Sequence, residues 1–305
     1  MDWVKRLDER AAALLPDVPL LEEEPMAKHT SFRVGGPAKR MAFPERGEQL
    51  VLLLSIAREC GARPLVIGNG TDLLAPDEGL DRLVIGTGRL SRLEAGEEPG
   101  SLVAEAGVPL ARLADFACSQ GLTGLEFAHG IPGTVGGGVY MNAGAYGGEL
   151  AQVVGRVTVL FPEEGVETLS GEALAFGYRR SFLTDRPGAV LLSAVFRLSP
   201  GDPAAIRETM RELMAKRRAS QPLEWPSAGS TFKRPEGHFA GTLIDRCGLK
   251  GLTVGGAQVS EKHAGFVINR GGATCADVRG LIRKIQETVY EETGVRLEPE
   301  VGFID

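Results

Sequence analysis

The stretch EFAHGIPGTVGGGVYMNAGAYGGE, residues 126–149, is the most unusual part of this 305-residue chain. It holds eight glycines between Gly130 and Gly148 and a single acidic residue at each end. Glycine loses more backbone freedom on folding than any other residue, so such a run is destabilising unless the chain must take a positive φ or approach something closely. We therefore expect this stretch to lie outside the middle of any helix or strand, and to approach a ligand with its backbone.

The ligand expected at such a stretch is an anion. Backbone N–H groups in a glycine-rich bend form a concave anion site, and a diphosphate is a common occupant. The alternative for this stretch, taken alone, is a set of tight turns between short strands. Two other segments, VIGNGTDLL (residues 66–74) and HTSFRVGGP (residues 29–37), favour the ligand. The first lacks both the third glycine of G-x-G-x-x-G and the Gly-Lys-Ser/Thr of a P-loop, so a kinase or ATPase is not favoured.

Composition excludes several classes of protein. The chain is 43% apolar and 24% charged, with a formal net charge of −6, which argues against nucleic acid or an anionic membrane as partner. No apolar run approaches the ~20 residues that span a bilayer. The opening MDWVKRLDERAAALL interleaves charged and apolar residues, which predicts a surface helix rather than a signal peptide. The four cysteines are Cys60, Cys118, Cys247 and Cys275, and no two of them form a C-x-x-C pair. We therefore predict that they are reduced packing residues of a cytoplasmic protein, and that the chain has no metal site.

Hydrophobic periodicity predicts a mixture of helices and strands, and the chain length predicts about two domains. Helices are expected over residues 48–60, 109–120, 203–218, 239–247 and 277–292. Strands are expected over residues 63–67, 82–87, 101–106, 153–161, 189–198, 264–269 and 295–304, together with a strand pair over residues 31–44 that turns at Gly35, Gly36 and Pro37. One of these strands follows a helix and is itself followed by a glycine-rich loop. This order of elements suggests α/β packing.

Six segments then carry a resemblance to a known family: GNGTDLL, HGIPGTVGGGVYMNAGAYGGE, FGYRRS, AGSTFKRP, EKHAGFVIN and LEPEVGFI. In this order they resemble the UDP-N-acetylenolpyruvoylglucosamine reductases, flavoproteins that make UDP-N-acetylmuramate for peptidoglycan. The resemblance runs from about His29 to the C-terminus. It implies an α+β and α/β fold with a two-subdomain FAD-binding region of the vanillyl-alcohol-oxidase (PCMH) type and a smaller C-terminal α+β substrate domain. The expected division is 1–87, 88–219 and 220–305, with the last strand returning to the first subdomain.

The resemblance also implies a set of site residues. The residues carried over for the FAD diphosphate and the flavin are Gly68, Asn69, Gly70, Thr71, Asp72, Gly130, Ile131, Pro132, Gly133, Thr134, Gly136, Gly137, Asn142 and Gly144. The catalytic set is Arg179, Ser230 and Glu300. Local positive charge and an aromatic ring for the anionic nucleotide sugar are expected from Tyr178, Lys233, Arg234 and Lys262.

The implied reaction has two halves that share one site. NADPH reduces FAD, and the alkene of the enolpyruvyl ether then takes a hydride from flavin N5, so negative charge develops beside the carboxylate. Arg179 suits this charge because a guanidinium can grip a carboxylate with two hydrogen bonds. Glu300 must be protonated to donate a hydrogen bond there, so we predict that burial raises its pKa. Ser230, between Gly229 and Thr231, is the expected proton donor.

Each of these residues has an ordinary alternative. Arg179 could be a surface arginine, Ser230 a turn serine, and Glu300 an exposed acid on an edge strand beside Glu298. Two other functions stay open: an FAD-dependent oxidase on the same scaffold, and a non-catalytic nucleotide-sugar-binding protein. The chain resembles the family type that lacks a tyrosine-bearing loop after the YR segment. We expect a monomeric, cytoplasmic enzyme that uses FAD and NADPH on a small nucleotide sugar, without nucleic acid or membrane partners.

Overall fold

The computed structural model describes residues 2–304, which contain seven α-helices and eighteen short strands. The helices are α1 (Trp3–Leu14), α2 (Gly47–Cys60), α3 (Leu110–Ser119), α4 (Val135–Tyr140), α5 (Pro203–Ser220), α6 (Ala240–Arg246) and α7 (Cys275–Thr293). One-turn 3-10 helices lie at Met26–Lys28, Glu126–Ala128, Leu150–Gln152, Gly171–Leu174 and Phe182–Asp185. Within residues 2–304, no helix is long and apolar enough to span a membrane.

The strands of the first half are β1 (Leu21–Pro25), β2 (Pro37–Ala42), β3 (Leu65–Ile67), β4 (Leu73–Leu74), β5 (Leu80–Gly86), β6 (Leu93–Ala95), β7 (Ser101–Glu105), β8 (Leu122–Thr123), β9 (Gly144–Ala145) and β10 (Gly148–Glu149). Those of the second half are β11 (Val154–Phe161), β12 (Gly165–Ser170), β13 (Val190–Arg197), β14 (Ser199–Pro200), β15 (Thr253–Val254), β16 (Ala257–Val259), β17 (Val267–Asn269) and β18 (Gly302–Phe303).

The chain divides into two compact units. The first contains the N-terminal segment to Leu21, Arg40–Asn69 and Arg82–Lys216. The second contains Glu22–Lys39, Gly70–Asp81 and the chain from Arg217 onwards. The three-part division expected above is finer than these two units and stays a prediction.

The largest sheet of the first unit is antiparallel, with strand order β12-β11-β13-β7-β6. Alternate residues of its central strands, such as Val157, Ala194 and Ala104, are opposite one another and fully buried. They share a hydrophobic core with Leu110 and Leu113 of α3. Period-two burial in the strands and one apolar face on the helix therefore explain this layer.

A smaller parallel arrangement completes the first unit. There β5 lies between β2 and β3, and β3 runs parallel to β5 with Val66 opposite Ile85. Helix α2 packs Leu50 and Leu53 into this core and ends at Gly61, whose φ of +73° forms a left-handed C-cap. The carboxyl end of β3 leads directly to Gly68.

The second unit is built around α7 and the antiparallel sheet β15-β16-β17. Val278, Leu281 and Ile285 of α7 form a core with Ala257 and Val259 of β16. In the same unit β18 pairs in parallel with β4, and β1 lies beside the beginning of β2.

Most predicted elements are confirmed, but three predictions are wrong. The glycine-rich stretch, expected to lie outside the middle of any helix or strand, contains helix α4 and the two-residue strands β9 and β10. Of the strand pair expected over residues 31–44, only β2 forms, because the chain turns where Arg33 takes a φ of +56°. Of the strand expected over residues 295–304, only β18 forms. Pro299 has no N–H for a ladder and makes a single bridge with Phe232.

Tertiary contacts explain why α4 forms despite three consecutive glycines. A Cβ added to Gly138 would lie 2.9 Å from Leu150 Cδ1, and one added to Gly136 would lie 3.1 Å from the carbonyl oxygen of Ala106. Both positions are closely packed, so glycine fits there without displacing either neighbour, and this packing offsets the low helix propensity of glycine.

Candidate active site

Two glycine-containing loops meet in the first unit. The N–H groups of Val135 and Gly136 donate to the carbonyl oxygens of Val108 and Ala106, both at 2.8 Å, which anchors the glycine-rich stretch. The loop after β3 approaches this stretch so closely that a Cβ on Gly68 would overlap Thr134 Oγ1. Only a glycine fits at residue 68 without moving the buried Thr134.

These two loops are also joined by a side chain. Asn69 Nδ2 donates to the carbonyl oxygen of Pro132 at 3.4 Å. Thr134 begins α4, and its Oγ1 accepts the Gly137 N–H at 3.5 Å. Asn69, Pro132 and Gly137 are all exposed. The first unit therefore brings Gly68 and Asn69 against the predicted 130–137 segment and leaves polar groups of both accessible.

The rest of the predicted GNGTD loop lies in the second unit. Gly70 has a φ of +59°, and a Cβ there would overlap the carbonyl oxygen of His29. The Gly70 carbonyl oxygen accepts the Ser31 N–H at 3.0 Å. Asp72 accepts the Gly302 N–H on its backbone oxygen at 2.9 Å, and Thr71 lies between these two residues.

The side-chain amide of Asn142 is hydrogen-bonded through both its nitrogen and its oxygen in the first unit. It is 1% exposed and has a φ of +44°, a conformation that favours glycine or asparagine. Its Nδ2 donates to the Gly177 carbonyl oxygen at 3.0 Å, and its Oδ1 accepts the Ala151 N–H at 2.9 Å. Two residues further on, Gly144 begins β9, which pairs with β10. The side chain of Asn142 thus links the glycine-rich stretch to the FGYRRS segment.

The two candidate residues of the FGYRRS segment, Tyr178 and Arg179, lie in a tight turn. Gly177 and Arg180 exchange backbone hydrogen bonds, with N–H to oxygen distances of 3.0 and 3.3 Å. Tyr178 and Arg179 are the two central residues, and Arg179 has a φ of +55°. Tyr178 is 55% exposed, and the Arg179 guanidinium carbon lies 5.2 Å from the centre of its ring. Both side chains therefore project from one turn.

The residue after this turn was not singled out from the sequence. Ser181 is completely buried, and its hydroxyl donates to the Tyr140 carbonyl oxygen, the last residue of α4, at 3.1 Å. The Ser181 hydroxyl oxygen in turn accepts the Leu183 N–H at 3.3 Å. A serine directly after the paired arginines was the available signal, but a surface serine has the same local sequence.

In the second unit the structure brings the other two candidate catalytic residues onto neighbouring backbone segments. The Glu300 N–H donates to the Thr231 carbonyl oxygen at 2.8 Å, and the Lys233 N–H donates to the Glu298 carbonyl oxygen at 2.9 Å. Ser230 precedes Thr231 and is exposed, whereas Glu300 is half-buried. The buried Thr231 holds its segment to β17, because its Oγ1 accepts the Val267 N–H at 2.9 Å.

The predicted basic residues have identifiable contacts in this unit. Lys233 Nζ lies 3.2 Å from Glu298 Oε2, and Lys262 Nζ donates to the Arg218 carbonyl oxygen at 2.7 Å. The Arg234 guanidinium carbon lies 4.0 Å from the centre of the Phe239 ring, which is 59% exposed. These contacts do not test the predicted role of the three cations in substrate binding.

The surroundings of His263, the residue after Lys262, disfavour the charged form of its ring. Burial lowers the pKa of His263, and its Nδ1 accepts the Gly265 N–H at 3.1 Å. Its ring meets Phe266 edge-on, with 4.9 Å between ring centres. His263 is thus a packing residue that shapes the loop leading to β17.

Comparison with known proteins identifies the class and then the family. Residues 38–170 match the model of an FAD binding domain, so the chain belongs to the FAD-binding flavoproteins. Residues 221–304 match the C-terminal domain of UDP-N-acetylenolpyruvoylglucosamine reductase. A reductase of that name from Agathobacter rectalis is 50% identical over 99% of this chain and 98% of its own length. The chain belongs to the UDP-N-acetylenolpyruvoylglucosamine reductase family.

Further relatives agree with this assignment. A reductase of the same name from Latilactobacillus sakei subsp. sakei is 47% identical over 92% of each chain. The crystal structure of UDP-N-acetylenolpyruvylglucosamine reductase from Thermus caldophilus superimposes with a TM-score of 0.81 at 36% identity, covering 94% of this chain and all of that chain. The predicted fold class, an FAD-binding region with a C-terminal substrate domain, is confirmed.

Proposed function

We propose that this protein is an NADPH-dependent flavoenzyme that reduces UDP-N-acetylenolpyruvoylglucosamine to UDP-N-acetylmuramate for peptidoglycan synthesis. One observation carries the proposal: the chain joins an FAD binding domain at residues 38–170 to the C-terminal domain of this reductase family at residues 221–304. The proposal includes NADPH as the nicotinamide hydride donor, a cytoplasmic location and a monomeric state.

The residues of the first unit fit an FAD. A Cβ on Gly137 would meet only Thr134 Oγ1, at 3.9 Å, so the backbone there is open to an approaching group. Asn69 adds an exposed amide, and the buried Thr134 holds the loop in shape. We assign the cofactor to these loops, which include Gly68 and Gly136. When bound, FAD supplies hydride transfer between NADPH and the alkene of the substrate.

Arg179 is proposed to bind the substrate carboxylate. Hydride addition at the terminal alkene carbon places negative charge on the carbon beside this carboxylate, so the carboxylate becomes enolate-like. A guanidinium with two parallel N–H groups stabilises that charge more than the charge of the ground state. Its place on an exposed turn beside Tyr178 supports this role, because both side chains project from the backbone.

Ser230 and Glu300 are proposed to complete the reaction. Ser230 donates the proton that the carbon beside the carboxylate receives, which completes the addition of one hydride and one proton across the double bond. Glu300, when protonated, donates a hydrogen bond to the enolate-like oxygens. Their backbone segments pair through Thr231, which supports a joint role for these two residues.

The experiment that tests this function compares the consumption of NADPH and of oxygen by the purified protein. We expect a yellow protein whose NADPH oxidation depends on the enolpyruvyl nucleotide sugar, with a product two hydrogens heavier by mass spectrometry and no oxygen consumed. If NADPH oxidation consumes oxygen and does not depend on the nucleotide sugar, the protein is an oxidase instead. A colourless protein that FAD does not reconstitute would leave only a binding protein.

A further inference from the structure

We propose that Ser181 and Asn142 are positioning residues that fix the Gly177–Arg180 turn, and with it Arg179, to the end of α4. The inference rests on the proposed function, since it takes Arg179 as the residue that binds the substrate carboxylate. It assigns a role in catalysis to two side chains that act through the backbone rather than on the substrate.

The two anchors hold opposite ends of the turn. Asn142 Nδ2 donates at 3.0 Å to the carbonyl oxygen of Gly177, the first residue of the turn. Ser181, directly after the last residue of the turn, donates from its hydroxyl at 3.1 Å to the Tyr140 carbonyl oxygen. Both anchor points on the glycine-rich stretch lie within residues 140–142. One short segment therefore sets the place of both ends of the turn.

Burial makes these two hydrogen bonds specific. Ser181 is 0% exposed and Asn142 is 1% exposed, so water cannot replace a partner that moves away. The turn itself contains an arginine at a φ of +55°, and Asn142 has a φ of +44°. Non-glycine residues keep such conformations only where the surrounding structure holds them, and they cluster at functional sites.

The positioning matters because the charge that Arg179 meets develops only in the transition state. Stabilisation of this kind depends on donors that are already in place, and a displacement of about 1 Å can cost about 10²-fold in rate. A turn fastened at one end only would leave the arginine free to shift by such a distance. The Ser181 anchor is thus expected to affect the substrate half-reaction and not the reduction of flavin by NADPH.

The main test is the Ser181→Ala variant of the FAD-loaded enzyme, with Thr184→Ala as its matched control. Thr184 Oγ1 donates to the Ser181 carbonyl oxygen at 2.7 Å, so the control loses a hydroxyl hydrogen bond in the same segment but no link to α4. We expect Ser181→Ala to slow reoxidation by the enolpyruvyl substrate about 10- to 100-fold. Flavin reduction by NADPH should be unchanged in both variants, and Thr184→Ala should resemble the wild type throughout.

Two further readouts separate positioning from general structural damage. Hydrogen exchange of the FAD-loaded protein should show faster exchange at the Gly177 and Arg180 amides in Ser181→Ala, with exchange in α3 unchanged. In an Arg179→Lys background, adding Ser181→Ala should slow reoxidation by less than about twofold, because residues that act through one group are not additive.

Several outcomes would overturn the inference. These are an unchanged reoxidation rate in Ser181→Ala, equal slowing of both half-reactions, or full additivity with Arg179→Lys. If Ser181→Ala does not fold, Ser181→Cys decides by the same criteria, since a thiol is a much weaker donor to the Tyr140 carbonyl oxygen than a hydroxyl. A wild-type enzyme that the substrate does not reoxidise would instead overturn the proposed function.

Discussion

The backbone N–H of Glu300 donates to the carbonyl oxygen of Thr231 at 2.8 Å. This hydrogen bond places the segment that contains Ser230 beside the segment that contains Glu300, although 70 residues separate them in the chain. Two residues further along, the roles reverse and the Lys233 N–H donates to the Glu298 carbonyl oxygen, as in an antiparallel pair. The proposed proton donor and the proposed carboxyl partner therefore lie on paired segments of a single unit.

Ser230→Ala should separate the two half-reactions. Reduction of the flavin by NADPH needs no proton from Ser230, so its stopped-flow rate should be nearly unchanged. Reoxidation by the enolpyruvyl substrate should slow by roughly 10²–10⁴, the typical contribution of a positioned general acid. Ser230→Cys should keep more activity than Ser230→Ala, because a thiol can still donate. Unimpaired reoxidation in the alanine variant would remove Ser230 from the mechanism.

Arg179→Lys keeps the charge and removes the bidentate fork. If Arg179 stabilises the developing enolate, kcat should fall by about 10²-fold while substrate binding weakens much less. Arg180→Lys is the matched control, since Arg180 is the next residue and forms an exposed ion pair with Asp185 at 2.6 Å. A change confined to KM would make Arg179 a binding residue only.

Gly68→Ala should weaken FAD binding through overpacking. The new Cβ would overlap Thr134 Oγ1, and Thr134 cannot yield without losing its hydrogen bond at the start of α4. Overpacking of this kind costs about 1–3 kcal/mol. Gly88→Ala serves as control, because Gly88 is exposed and a Cβ there meets nothing within 4 Å. Equal flavin retention in the two variants, measured after gel filtration, would contradict the prediction.

FAD should be bound without a covalent bond. The stretch from Gly130 to Gly148 has neither cysteine nor histidine, and the adjacent His129 lies with its Nε2 at 3.5 Å from Asp115 Oδ1. Denaturation should release the yellow colour into the supernatant. Colour that stays with the precipitated chain would contradict this prediction.

Asp277 should stabilise the second unit at neutral pH and not in acid. Its carboxylate accepts N–H groups of Thr274 at 3.0 Å and Gly256 at 3.2 Å, and these backbone hydrogen bonds, the one from Thr274 foremost, lower its pKa. A pKa lower in the folded than in the unfolded chain gives stability above the unfolded pKa, which is lost as the pH falls through the folded pKa.

Asp277→Asn should accordingly lower the melting temperature at neutral pH, because a neutral amide oxygen accepts these two hydrogen bonds more weakly than a carboxylate does. The difference from wild type should shrink once the pH lies below the folded pKa. Glu291→Gln removes a charge from an exposed site on the same helix and should have little effect at either pH. If the melting temperature of Asp277→Asn is below that of the wild type by the same amount at every pH, the loss of stability comes from packing and not from the charge.

Local sequence determined most of the regular structure and the family. Helices α2 and α7 end at Gly61 and Gly294, as their positions after an apolar periodic run predict, and both glycines have a positive φ. The strands β11 and β13 follow the period-two pattern within one residue of their predicted ends. Such features depend on neighbours in the chain, so periodicity and glycine placement are sufficient to predict them.

Tertiary structure alone decided where the candidate site residues lie. Helix α4 forms among glycines that pack closely against Leu150 and Ala106, and neither neighbour is visible in the local pattern. Likewise Asn142 was predicted to line the flavin, but only the fold shows that its buried side chain joins Gly177 and Ala151. Ser181 was missed for the same reason. The positions of Asn142 and Ser181 depend on contacts between residues that are distant in sequence. A short segment of sequence contains no pattern that predicts such contacts.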